Sequence, residues 1–511
     1  MQPGRRSSTA WGAALGYATI ALGIARNILL VPLYLHYVPA QEYGAWLATG
    51  GTLVQLLVSD FGVGGVILQR TAAAAGAGQR DRLAVVIGTA WASCLVIAAV
   101  VSLTSAALSP FLPHLLGLDG ALAGRIVDCF LLSVAANAIA VVATISGNVL
   151  RGLQHAVGAG VVQLLAEVTV ILVTVLMLYL GQGLYSLAWG MVARALFAAL
   201  AGAAIAYRVC IGEMGIAPRL QAVEARRLTT DSSRLFVVSL AMKLLTRSDV
   251  FFVGIALGGS AAAVYGITTR CIDTVSMLVS QLTTALLPGM AHLYGEGNLA
   301  RFRDLLQRIS PVVCALALAG LATAAALDRD FVTLWVGPGL FGGAPIAFAF
   351  AGAAFISAVG FVAYDVLIAA GRFEFIAYTF TLFATLQIPV MVLLLRWLGM
   401  VGAPVAAMLS SLGWCLVLWS HVPDALAPQV ASFAAPGRAV AVALIVVSSV
   451  IWFGAWMLPA AHSWLHLGGS AVSVLATMIG GILLASRTIR EAVRIEVLAT
   501  LGAFGRRSRW P

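Results

Sequence analysis

Five cations and five acids lie inside stretches otherwise composed of apolar residues. They are Arg26, Arg194, Lys243, Arg247 and Arg270, against Asp60, Glu167, Asp249, Asp273 and Asp365. A charge at the centre of a membrane helix costs about 2.5–3.5 kcal/mol on insertion scales, so such residues face a polar interior. Ser239, Lys243 and Arg247 are spaced four apart, which puts them on one helical face. Two cations stacked in that way repel unless an anion compensates them. A guanidinium suits phosphate because it donates hydrogen bonds in a planar fork. The five cations are therefore the candidate binding surface for an anionic group, and the five acids are candidates for a coupling cation or proton. Structural pairing is the alternative for several of them: Arg270 with Asp273 three residues on, and Glu167 with Arg194 between helices. Polar stripes at Ser133, Asn137, Thr144 and Asn148, and at Gln163, Glu167 and Thr174, suit either a sugar-accepting lining or helix–helix glue.

The elements that must position these residues are membrane helices. The chain has 511 residues, of which 61% are hydrophobic and 10% charged, and its mean hydropathy is +0.99. No soluble domain needs so much apolar surface. With about 20 apolar residues per span, the pattern predicts an all-α polytopic membrane protein of about 14 transmembrane helices. They lie near 11–37, 44–69, 83–108, 125–150, 157–180, 184–207, 235–257, 261–290, 309–335, 345–370, 375–397, 399–421, 438–458 and 464–486. The stretch from Trp11 to Tyr37 is long enough to span and lacks a cleavage pattern, so it reads as the first helix rather than a signal peptide.

Arginines sort the joints. Those assigned to the cytoplasm and to the C-terminal tail carry nearly all of them, while the opposite joints hold only Arg125, Arg329 and Arg396. By the positive-inside rule both termini are cytoplasmic. The net charge of +10 thus reports topology, and no nucleic-acid stripe is present. The expected organisation is a first six-helix bundle (1–209), a cytoplasmic linker (210–232), a second six-helix bundle (233–421), two further helices (437–486) and a basic cytoplasmic tail (487–511). Arg26 before Tyr43-Gly44 is echoed by Arg247 before Tyr265-Gly266 at a similar interval, a weak internal repeat. Repeated halves are common in transporters. Pro32, Pro389 and Pro404 fall within predicted helices and free backbone groups there, for a bend or a hinge.

Six scattered cysteines offer neither a metal spacing nor a disulfide framework, and read as small packing residues. Phosphate-loop and zinc-protease motifs are absent, and the outer joints are too short for a catalytic loop. Transport is favoured over enzymatic activity. A membrane polysaccharide polymerase or glycosyltransferase is the less favoured reading.

Two segments carry a resemblance. The first reads RNILLVPLYLHYVPAQEYGAW and then SDFGVGGVILQR, with Arg26, Pro32, Tyr43, Gly44, Asp60 and Gly62 at the matching positions. The second reads RSDVFFVGIALGGSAAAVYGITTR and then LLPGMAHLYGEG, with Arg247, Asp249, Tyr265, Gly266, Arg270 and Pro288. Both resemble the polysaccharide (O-antigen-type, Wzx-like) flippases of the multidrug/oligosaccharidyl-lipid/polysaccharide exporter superfamily, over roughly residues 10–420. The resemblance implies two six-helix bundles around a central cavity, alternating access, and a bacterial inner-membrane location. It implies a polyprenyl-diphosphate-linked glycan as substrate, for lipopolysaccharide O-antigen, capsule or exopolysaccharide assembly. It implies no cofactor beyond coupling to Na+ or H+, with membrane lipid and other polysaccharide-assembly membrane proteins as partners. A cation-coupled multidrug exporter of the same superfamily is the alternative; it calls for an acid-dominated cavity, whereas Lys243 and Arg247 stand together here.

Overall fold

The computed structural model describes residues 3–53, 63–221, 223, 237–297, 299–426 and 461–485. All regular structure among them is helical. Contacts group the chain into two compact units, Met1–Ala263 and Val264–Pro511.

The first unit contains α1 (Pro3–Tyr37), α2 (Ala40–Trp46), α3 (Val63–Gly76), α4 (Arg80–Leu108), the short α5 (Leu112–Leu116), α6 (Gly120–Gly152), α7 (Ala156–Tyr179) and α8 (Tyr185–Tyr207). Helix α2 continues as a π-helical stretch, Leu47–Leu53, and α8 as another, Arg208–Glu213. A helix α9 over 237–247 and α10 (Asp249–Leu257) complete the unit. Helix α6 packs on α3, α4 and α8; α7 lies on α8 and on α1.

Small residues let these backbones approach, as expected where burial of apolar surface gives helices no drive to associate. A Cβ on Gly44 would collide with the carbonyl oxygen of Gly259, and one on Gly254 would lie 2.7 Å from Ala48 Cβ. These contacts explain why the compact units divide after Ala263 rather than in the joint 210–232: residues 249–263 pack onto 44–53.

Helix α11 (Gly259–Thr268) straddles that division. The second unit then holds α12 (Arg270–Gly295), α13 (Leu299–Val336), α14 (Ala344–Ala369), α15 (Phe373–Leu398), α16 (Gly402–Leu426) and α17 (Trp464–Ala485). Helices α12, α13 and α14 pack mutually, and α14 and α15 both pack on α16. Helix α17 docks on α13 through Leu327, Phe331 and Leu334 against Ala461, Leu467 and Ala471. The Asp330 carboxylate accepts a 2.9 Å hydrogen bond from the Ala461 N–H at the start of that segment.

Nine helical runs among the described residues are long and apolar enough to cross a membrane. The protein is thus a multi-pass, all-α membrane protein. Two expected spans are interrupted instead of continuous, and a third changes helical geometry. The span near 44–69 changes to π geometry at Leu47, and residues 54–62 lie outside the described set. The one near 235–257 breaks at Ser248, whose hydroxyl bonds back to the Leu244 carbonyl, a contact that bends helices. The one near 261–290 divides at Thr269. The span near 438–458 and the tail also lie outside the described residues. Pro32 and Pro389 are interior to their helices, whereas Pro404 falls in the first turn of α16, where its missing N–H leaves no bond unmade.

Candidate functional site

The best-defined charged cluster belongs to the first unit and is built from three helices. Helices α7 and α8 run antiparallel and meet at Gly190, where any side chain would collide with the Thr174 hydroxyl. Two turns before Thr174 on α7 stands Glu167, and one turn beyond Gly190 on α8 stands Arg194. The close approach therefore sets the Glu167–Arg194 distance: Arg194 Nη2 donates to Glu167 Oε1 at 2.7 Å.

On the other side, Gly160 of α7 lies against Leu15 of α1, where an added Cβ would be 2.9 Å from Leu15 Cβ. Arg26 lies three turns after Leu15, Glu167 two turns after Gly160. Long helical side chains lean back towards the N-terminus, which covers the extra turn. Arg26 Nε reaches 3.6 Å from Glu167 Oε2. That is an ion pair without a hydrogen bond.

The Glu167 side chain is 6% exposed, Arg26 24% and Arg194 41%. Two guanidiniums thus share one deeply buried carboxylate, and the group carries a surplus positive charge. Arg26 Nε, Arg194 Nε and Glu167 Oε2 are buried and make no hydrogen bond among the described residues. The arrangement holds Arg194 firmly and Arg26 loosely. Arg26 is the less constrained of the two cations.

The other candidates are distributed differently. Lys243 is half-buried on α9, Arg247 is exposed at its last residue, and Asp249 is buried in the first turn of α10; each takes part in further polar or charged contacts. The break at Ser248 separates Asp249 from the helix that carries the two cations. Asp60 lies outside the described residues. In the second unit, Arg270 opens α12 with its Nε buried and without a hydrogen-bond partner among the described residues, and Asp273 in the first turn of the same helix has contacts of its own.

Asp365 of α14 is buried and hydrogen-bonded to Thr283 of α12. Both line a cavity of about 20 Å³ with Met290, Leu306, Val313 and Val362, room for one water-sized guest. The Thr283 hydroxyl also lies 3.0 Å from the Ser280 carbonyl. Its single proton serves one of those acceptors at a time.

Asp328 was not among the candidate charges. It is completely buried in α13, and neither carboxylate oxygen has a hydrogen-bond partner among the described residues. Its signal was visible, since α13 stays apolar through Leu327, but the run Asp328-Arg329-Asp330 reads as a joint. Thr283 carried no signal, because a lone threonine in a helix is unremarked until an acid faces it. The stripe of α6 turns inward on itself: Ser133, Asn137 and Thr144 each donate to a carbonyl one turn earlier, at 2.7, 2.8 and 2.9 Å. All six cysteines are free, and none is exposed.

Comparison with known proteins places this geometry. The sequence profile of a family described as "Polysaccharide biosynthesis protein" matches residues 41–337, more than half of the chain. The chain belongs to that family. No curated protein matches it in sequence. Among solved structures, it is similar to an inward-facing multidrug resistance MATE family transporter of the MOP superfamily, with 15% identity and a TM-score of 0.62, over 82% of this chain and 96% of that one. A MOP superfamily transporter from Pyrococcus furiosus gives 14% identity and a TM-score of 0.61, over 83% and 96%. A MATE structure in the bent conformation gives 14% and 0.59, over 86% and 100%. The fold of this polysaccharide biosynthesis protein is therefore that of the MOP transporters, and the resemblance drawn from the two sequence segments holds at the level of family and fold.

Proposed function

We propose that the protein is a transporter that flips polyprenyl-diphosphate-linked oligosaccharide across the bacterial inner membrane, by alternating access, for surface polysaccharide assembly. The observation that carries this reading is the Arg26–Glu167–Arg194 cluster, a buried site with surplus positive charge inside an apolar bundle. An exporter of organic cations gains nothing from such a surplus. A diphosphate-linked glycan brings acceptor oxygens for the guanidiniums and hydroxyl donors for Glu167. Lys243, Arg247 and Arg270 are the further substrate-binding cations in this reading. Membership of a polysaccharide biosynthesis family together with a transporter fold supports it.

Coupling to H+ or Na+ belongs to the same proposal, with Asp365 the preferred of the acids. It shares the Thr283 hydroxyl with the Ser280 carbonyl, and a proton or small cation completes the contact that one hydroxyl cannot serve twice. Asp60, Asp249 and Asp273 remain the alternatives; Glu167 is already committed to two arginines. The arginine distribution supports cytoplasmic termini in this reading.

The test is reconstitution of the purified chain in vesicles, following a polyprenyl-diphosphate oligosaccharide across the bilayer under imposed Na+ and H+ gradients. Wild type should translocate it, Arg26→Gln should not, and Asp365→Asn should lose the gradient dependence. Absence of translocation under every gradient, or export of an organic cation instead, would overturn the proposal.

A further inference from the structure

A second site, apart from the charged cluster, lies at the opposite side of α8 near its end. Helix α4 begins, and α6 and α8 end, on the side that the arginine distribution assigns to the cytoplasm. There a cavity of about 570 Å³ is lined by Trp91, Val149, Ala204, Tyr207, Ile211 and Leu220, among others. Its volume falls in the range of about 300–1,000 Å³ typical of small-molecule sites. The lining is almost wholly apolar, so a glycan, whose hydroxyls need partners, is excluded. A hydrocarbon chain is not.

The outer wall is the segment 215–221. Arg219 N–H donates to the Ala84 carbonyl at 2.9 Å, and Gln221 N–H reaches the Thr89 hydroxyl at 3.5 Å. Gly88 lets this wall close: a Cβ there would lie 2.5 Å from the Arg219 carbonyl oxygen. Tyr207, Ile211 and Leu220 are exposed apolar residues at the mouth.

The rim is basic. Arg80, Arg82, Arg151, Arg208 and Arg219, all exposed, stand at these helix ends with Asp81 and Glu213 as nearby acids. Arg208 Nε is 4.0 Å from Glu213 and Arg219 Nη1 is 3.7 Å from Asp81, both beyond hydrogen-bond length and open to solvent. Such pairs contribute little and exchange readily for a better acceptor. A phosphate offers one, since it accepts two parallel bonds from a guanidinium.

We propose that this cavity is a binding site for an anionic membrane phospholipid, with one acyl chain between α4, α6 and α8 and the headgroup phosphate on Arg208 and Arg219. Basic pockets between helices at the cytoplasmic face bind anionic headgroups in this way. The bound lipid braces the segment 215–221 against the first unit. The inference is independent of what the protein transports.

The experiment uses the full chain purified in detergent and a phosphatidylglycerol carrying a diazirine on its acyl chain, with adducts mapped by mass spectrometry. Adducts should concentrate on peptides containing Trp91, Val149 and residues 203–211. Unlabelled phosphatidylglycerol should suppress them, and phosphatidylcholine should not. Ala204→Trp, which fills the cavity from an exposed position, should abolish them, with Ala203→Phe as the second variant should the first misfold. Arg208→Gln combined with Arg219→Gln should weaken phosphatidylglycerol competition by roughly 30-fold, from about fivefold per basic residue near an anionic lipid. Even labelling of all helices, adducts that survive both cavity-filling variants, or equal competition by phosphatidylcholine would each overturn the site. Stronger competition by a polyprenyl diphosphate than by phosphatidylglycerol would overturn it too, by assigning the cavity to a transport substrate.

Discussion

In the first compact unit Glu167 lies between Arg26 and Arg194, whereas in the second Asp328 is equally buried with neither oxygen bonded to any described residue. Arg270, in the same unit as Asp328, keeps a buried Nε unbonded. The described residues of the first unit place two cations on Glu167; those of the second leave both Asp328 oxygens without a hydrogen bond. A desolvated charge persists where a partner, a ligand or a proton offsets it. The Glu167 cluster is therefore pre-organised before anything binds.

The comparison breaks most easily at Glu167. Glu167→Gln leaves two guanidiniums facing each other and should lower stability by about 3 kcal/mol, the lower end for a broken buried pair because both arginines are partly exposed. The readout is thermal unfolding in detergent. Replacing all three members together, Arg26→Met, Glu167→Leu and Arg194→Met, should restore most of that stability while transport stays lost. An unchanged melting temperature for Glu167→Gln alone would show that the cluster is not a closed charge system.

Packing gives the next effect. Gly44→Ala drives a methyl group into the Gly259 backbone and should cost about 1–3 kcal/mol. Gly360→Ala in the second unit meets the edge of the buried Trp414 ring, a side chain rather than backbone, and should cost less. Thermal unfolding of the two variants side by side settles the order, and a larger loss at Gly360 would refute it.

Asp328→Leu should change stability by no more than about 1 kcal/mol, or raise it, since an uncompensated buried carboxylate is replaced by an apolar group of similar volume. A loss as large as that of Glu167→Gln would mean that Asp328 has a counter-charge, and the contrast between the units would fall. The smallest effect is expected for Tyr185→Phe, which removes the 2.9 Å hydrogen bond to Asp128 near the helix ends of the first unit. It should cost about 0.5–1 kcal/mol, measurable only as a slight fall in melting temperature.

Much of this was legible before any tertiary structure. Apolar runs place the helices because a bilayer imposes a length on any segment that satisfies its own backbone, and that rule needs no knowledge of neighbours. The observed α1, α4, α6, α7, α8, α14 and α15 overlie the expected spans. What periodicity misses are breaks with local causes, such as the Ser248 back-bond, and the early start of α13 at Leu299, which leaves Pro311 inside the helix.

The charged residues divide along the same line. Their identity and their need for a polar setting follow from the sequence by itself, because the cost of a charge in hydrocarbon depends on the residue and its span. So do the family, through the motifs around Arg26 and Arg247, and the preference for an anionic substrate over a cationic one as a proposal. Which charges meet is a different matter. Arg26, Glu167 and Arg194 are far apart in the chain and join only because Gly160 and Gly190 let α1 and α8 press against α7. Arg270 and Asp273 are three apart on α12, yet the Arg270 Nε is buried without a hydrogen-bond partner among the described residues. The helix periodicity that places two side chains on one face says nothing of where their rotamers go once neighbouring helices compete for them. Only packing decides that, and with it the complete burial of Asp328 and the apolar cavity under residues 215–221.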